Sequence, residues 1–163
     1  VLYIDSNALP ANPQRIAMNQ TQRRFDPEIV AVPAGSTVSF PNSDPIFHNV
    51  FSLSKTKSFD LGNYPAGESR SITFTKPGLV QIHCHLHPNM TAAVLVTPNN
   101  WIIQPDRNGS FAFPGVPPGK YTVVAWHKTA GFFRRTVEVT ESAGAKIDFE
   151  IPLTESASHH QHQ

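Results

Sequence analysis

Residues 69–75 alternate strictly: Arg70, Ile72 and Phe74 fall on one face and Ser69, Ser71 and Thr73 on the other. This period of two marks a strand with one side against a core. Comparable runs occupy residues 28–32, 37–40, 79–85 and 92–97. Turn signals punctuate them at Pro33-Ala34-Gly35, Pro65-Ala66-Gly67 and Lys76-Pro77-Gly78, where proline presets φ and glycine supplies the left-handed position. No stretch carries the 3.6-residue period of a helix, and residues 54–64 read as a long loop. The pattern predicts an all-β fold, a β-sandwich.

A second block begins after Pro98-Asn99-Asn100. Asp106-Arg107-Asn108-Gly109 is a tight-turn signal, Pro117-Pro118-Gly119 another, and strands are expected at 110–113, 121–126, 134–140 and 146–151. A block this short buries little surface alone, so it is expected to be a smaller β-sandwich module leaning on the first. The division expected is a first domain over 1–97, the module over 98–153 and a disordered tail over 154–163. Val1 to Ile4 is strand-like without a place in the first domain, so residues within 1–10 are assigned to pair with the module's sheet. The tail's His159, His160 and His162 have no apolar anchors and are left out of any site.

Composition narrows the function. Charged residues make up 15% of the 163 and the net charge is +1, too weak a field to hold nucleic acid or an anionic membrane. The longest apolar run, residues 92–96, falls far short of the roughly 20 residues that span a bilayer. Cys84 is the single cysteine, which excludes an internal disulfide and leaves one reactive thiol that a bound metal would protect. Val1 is not an initiator methionine, so an upstream segment is expected to have been removed or left out.

The segment His83-Cys84-His85-Leu86-His87-Pro88-Asn89-Met90, with His48 upstream, concentrates soft and borderline ligands. A thiolate, two imidazoles and a weak thioether suit copper in both Cu(I) and Cu(II). Cys84, His87 and Met90 share one short connection and His48 must arrive from another strand, clamping one mononuclear ion between two segments. An alternative places His83, His85 and His87 on one strand face as a zinc or type-2 copper site. Pro88 argues that the strand has ended by His87.

The spacing Cys84-x2-His87-x2-Met90, with Pro88 after the second histidine and His48-Asn49-Val50 upstream, resembles the copper loop of cupredoxins, the plastocyanin-like blue copper proteins, in the short form seen in amicyanin. The resemblance covers roughly residues 17 to 97, including the Val32 to Phe40 strand pair. It implies Greek-key connections in the β-sandwich, and that Asn49 ties the two ligand segments together. Phe59-Asp60-Leu61-Gly62 and Gly67-Glu68-Ser69-Arg70 are also similar to bacterial methylamine-utilisation-like proteins, which implies export, to the periplasm for example. Residues Gly109 to Phe113 and Val116 to Tyr121 resemble the signature of a carboxypeptidase-regulatory-like or transthyretin-like β module.

The functional expectation is a one-electron carrier, not an enzyme, with His48, Cys84, His87 and Met90 as copper ligands and a transient redox partner. Pro45, Phe47, Pro88 and Met90 are expected to form an apolar docking patch around the edge of His87. The rivals are a storage, sensing or trafficking module that exchanges copper with a donor or acceptor, and a structural or adhesion module. Trp126-His127 reads as core packing beside a surface imidazole, and Arg23-Arg24 and Arg134-Arg135 as solvated charge. Asp26, Asp44, Glu68 and Asp148 form no recognisable catalytic arrangement.

Overall fold

The computed structural model describes residues 1–142 and 144–152; the tail assigned to 154–163 lies outside them. Every regular element is a strand. In chain order these are β1 (Leu2–Asp5), β2 (Arg15–Ala17), β3 (Asn19–Thr21), β4 (Arg24–Asp26), β5 (Ile29–Pro33), β6 (Ser36–Pro41) and β7 (His48–Ser54). There follow β8 (Lys57–Tyr64), β9 (Ser69–Phe74), β10 (Gly78–His83), β11 (Thr91–Thr97), β12 (Ile102–Ile103), β13 (Gly119–His127) and β14 (Gly131–Val139). Among the described residues no helix is long and apolar enough to cross a membrane.

The chain divides into two compact units, Asn7–Asn100 and Val1–Ser6 with Trp101–Gln163. The larger unit is a sandwich of a five-stranded sheet, β5-β11-β10-β7-β8, and a three-stranded sheet, β2-β6-β9, with the β3-β4 hairpin beside them. β5 runs parallel to β11 and β2 parallel to β6, while the other pairings are antiparallel. Alternation decides what each strand contributes. Val38 and Phe40 of β6 and Phe74 of β9 face inward against Val32, Val50, Val80, Ile82 and Val94 of the opposite sheet, all of them fully buried. Burying each large side chain stabilises the fold by about 1.5–3 kcal/mol.

In the smaller unit β1 lies between β12 and β13, in a four-stranded sheet completed by β14. Leu2 opposes Ala125 and Ile4 opposes Val123, so the chain's first residues lend an apolar strand to a sheet otherwise made by the last third. Phe111, Phe113, Ile147, Phe149 and Ile151 pack on the cluster of Leu2, Val123 and Ala125.

Two expectations need correction. Residues 54–64 are no loop, because β7 and β8 form an antiparallel hairpin from His48 opposite Tyr64 to Ser54 opposite Lys57, with a register shift between Asn49 and Phe51. Phe59, Leu61 and Tyr64 of β8 pack on the core. The register shift between Asp60 and Asn63 puts Tyr64 out of phase with Phe59 and Leu61, and this hid the alternation. Conversely, residues 110–113 and 146–151 are not strands. They set apolar side chains against the sheet without joining its ladder of backbone hydrogen bonds.

Candidate metal centre

β10 ends at His83, so residues 84–90 form the loop that leads into β11. This corrects the alternative of a three-histidine strand face: alternation does not reach His87. Among the described residues, the group of side chains able to hold a metal ion is His48, Cys84 and His87, whose ligand atoms all lie within 4.8 Å of one another. His48 opens β7, and Cys84 and His87 come from the loop after its neighbour β10.

Cys84 Sγ lies 3.9 Å from His48 Nδ1 and 3.7 Å from His87 Nδ1. Bonds of about 2.0 Å to nitrogen and about 2.3 Å to sulfur, arranged in a trigonal plane, put sulfur and nitrogen about 3.8 Å apart. Both sulfur–nitrogen distances match that spacing with the side chains where they stand. His48 is fully buried and Cys84 nearly so, His87 is half-buried, and the two imidazoles meet edge-on with ring centres 4.9 Å apart.

Each donor is held by a neighbour. His48 Nε2 is 2.6 Å from Asp44 Oδ2. A carboxylate only accepts, so Nε2 carries the proton and Nδ1 keeps its lone pair toward the thiol. Asp44 also accepts the backbone N–H groups of Gln22 at 2.6 Å and Arg23 at 2.9 Å. Burial pushes the Asp44 carboxyl up, but the bonds from His48, Arg23 and Gln22 outweigh it and hold the group below the ordinary carboxylate range. For His87, burial lowers the pKa most, His48 and the Arg23 guanidinium lower it further, and Asp44 opposes. The ring therefore stays unprotonated to lower pH than a free imidazole.

Asn49 ties the two ligand segments. Its backbone N–H points to Cys84 Sγ at 3.5 Å, its Oδ1 accepts the His85 N–H at 3.1 Å, and its Nδ2 donates to Asp60 Oδ1 at 2.8 Å. Asp60 Oδ1 also accepts the Gly62 N–H at 2.8 Å, at the register shift between β7 and β8. Gly62 takes φ of +72° there, a conformation that suits a residue without Cβ. A bulge at this place re-aims the strand beside the site.

Met90 is 1% exposed, shares the core cluster of Cys84, and donates its backbone N–H to His87 O at 2.9 Å. It is therefore no part of the expected apolar patch. Pro45 and Pro88 are exposed, as are Phe47 and Leu86, which each adjoin a ligand in sequence. His83 and His85 stand outside the donor group. His85 is exposed, stacks on Phe51 at 3.6 Å between ring centres, and has Nε2 3.6 Å from Asp60 Oδ2. In the smaller unit Trp126 is buried, and His127 Nδ1 accepts the backbone N–H groups of Thr129 and Ala130. Sequence reasoning missed Asp44 and Asp60. The one available signal was an acid four residues before His48, across Pro45-Ile46-Phe47.

No family model matches this sequence, and no curated protein matches it. Among solved structures the chain is similar to a copper-containing nitrite reductase from Thermus scotoductus, with 27% identity and a TM-score of 0.48 over 54% of this chain and 23% of that one. It is similar also to amicyanin, in the reduced form of one variant, with 24% identity and a TM-score of 0.48 over 58% of this chain and 97% of that one. The oxidised form of another amicyanin variant gives 24% identity and a TM-score of 0.48 over the same shares.

Proposed function

We propose that the larger unit holds one copper ion between His48 Nδ1, Cys84 Sγ and His87 Nδ1, with the Met90 thioether as a weak axial neighbour, and serves as a one-electron carrier. The observation that carries this reading is the clustered group of one thiol and two imidazoles, with Asp44 Oδ2 2.6 Å from His48 Nε2. Thiolate and imidazole together suit copper in both oxidation states, and copper when bound supplies the Cu(I)/Cu(II) couple. Cys84 and the two histidines come from adjoining strands of one sheet and their connecting loop. Such a frame resists rearrangement of the donors when charge changes, so electron transfer meets little reorganisation.

His87 is the half-buried ligand, and exposed Phe47 and Leu86 flank the ligands in sequence as a dehydrated contact for a transient redox partner. We read the chain as a carrier rather than an enzyme, working outside the cytoplasm where a bound ion would protect the lone thiol. The smaller unit is read as the carboxypeptidase-regulatory-like β module that its sequence resembles. In its Pro117 to Tyr121 stretch the Tyr121 hydroxyl donates to Pro117 O at 2.7 Å, fixing the turn before β13.

Elemental analysis after copper loading and dialysis, followed by a redox titration, tests this reading. One copper per chain, lost in His48→Ala, and reversible cycling at a single potential are expected. Rapid loss of Cu(I) to an acceptor without stable cycling would favour trafficking, and retained zinc with no copper would overturn the assignment.

A further inference from the structure

The β3–β4 connection departs from ordinary backbone beside the metal centre. β3 and β4 pair from Asn19 opposite Asp26 to Thr21 opposite Arg24, which leaves Gln22 and Arg23 as a two-residue turn. Both have positive φ, +52° and +55°. A two-residue hairpin turn of this type requires positive φ at both positions, but asparagine, aspartate or glycine usually supplies it, so glutamine and arginine here gain from outside support. That support is Asp44, 6% exposed, whose two oxygens accept the N–H groups of that same turn. One of these oxygens also accepts the Nε2–H of His48. Asp44 is itself anchored: its backbone N–H donates to Asn42 Oδ1 at 2.9 Å, and Asn42 Nδ2 donates to Ile46 O at 2.9 Å and Tyr64 O at 3.1 Å.

We propose that Asp44 is the positioning residue of this centre: its carboxylate, oriented by the backbone of Gln22 and Arg23, pins His48 in the Nε2–H tautomer and so presents Nδ1 to the ion. The assignment rests on the reading of His48 as a copper ligand. Neutral imidazole carries its proton on either nitrogen, and only the tautomer with a bare Nδ1 donates to a metal at the Cys84 side. A buried acceptor fixed at Nε2 removes the competing tautomer before any ion arrives. The turn is thereby part of the centre through its backbone N–H groups.

The test uses the full-length chain. Nitrogen-15 NMR of the metal-free protein, at a pH above the imidazole range, is expected to show His48 as a single Nε2–H tautomer. Asp44→Asn keeps an acceptor toward His48 and is expected to preserve that tautomer. Asp44→Ala removes the acceptor, is expected to populate both tautomers, and should weaken Cu(I) binding about ten- to hundredfold in competition with a chelator. An Nδ1–H tautomer in the wild-type protein, or an alanine variant that keeps both tautomer and affinity, overturns the proposal. If Asp44→Ala does not fold, the metal-free wild-type spectrum decides alone, and a His48 that populates both tautomers there overturns the proposal. Failure of the copper reading is distinguishable: the wild-type chain would bind no copper, while the metal-free spectra would still report whether Asp44 sets the tautomer.

Discussion

The two units bury different kinds of side chain. Among the described residues the buried polar and charged side chains all belong to the larger unit, from Gln20 to Asn99, whereas the smaller unit buries only apolar and aromatic residues such as Leu2, Val124 and Trp126. A buried polar group is costly unless it is bonded. Asn42, Asp44, His48 and Asn49 are all bonded, and their bonds run into one another around Cys84. The smaller unit achieves a sheet without such a network, which in the larger unit gathers around His48 and Cys84.

Substitutions break or sharpen this contrast. The largest effect on stability is expected from purely apolar contacts, which both units share. Phe74→Ala in the larger unit should cost about 3–5 kcal/mol and Leu2→Ala in the smaller about 2–5 kcal/mol in chemical denaturation, as lost burial plus a cavity. A fully tolerated Phe74→Ala would mean that the sandwich core is not where the fold's stability resides.

Asn42→Ala comes next. It removes two donated bonds and leaves the Asp44 N–H without its acceptor, at about 1–3 kcal/mol. Copper affinity should fall along with stability. If stability drops and affinity does not, the polar network is structural only and the contrast between the units loses its functional meaning.

A third effect appears only in alkali. Burial pushes the Tyr64 hydroxyl up from 10.0 to about 12, against the bond from Gln20 and the guanidinium of Arg70, with Cys84 adding to the rise. The unfolded chain then releases this proton before the folded one. The contribution is full below pH 10 and is lost as pH rises toward about 12. Tyr64→Phe should flatten the fall in stability across that window, and an unchanged slope would show that Tyr64 is not the group responsible. The smallest effect is expected at the surface of the smaller unit. Arg134 Nη1 lies 3.3 Å from Asp5 Oδ2 with both side chains about half exposed, so Arg134→Ala should change stability by less than about 1 kcal/mol.

Much of this was written in the sequence at the level of alternation and spacing. Strands β5, β6, β9, β10, β11, β13 and β14 showed themselves through period-two patterns and the turns before them. β8 did not, since the register shift near Gly62 puts Tyr64 out of phase with Phe59 and Leu61 and breaks the period of two. Residues 110–113 and 146–151 misled in the opposite sense: alternation records which side chains face a core, and says nothing of whether the backbone finds a ladder partner. The ligand residues stood out because cysteine, histidine and methionine at short spacing are chemically distinctive. Asp44 and the Gln22–Arg23 turn did not, because an aspartate in a proline-containing loop looks like any solvated acid until the fold brings β3–β4 against it.

The most direct measurement is the absorption spectrum of the protein on addition of Cu(II), compared between the wild type and Cys84→Ser. The expected result is an intense visible thiolate-to-copper charge-transfer band that reaches its limit at one equivalent and is absent from the serine variant. A wild-type spectrum without that band, or a band that survives in Cys84→Ser, would contradict a copper centre built on Cys84, His48 and His87.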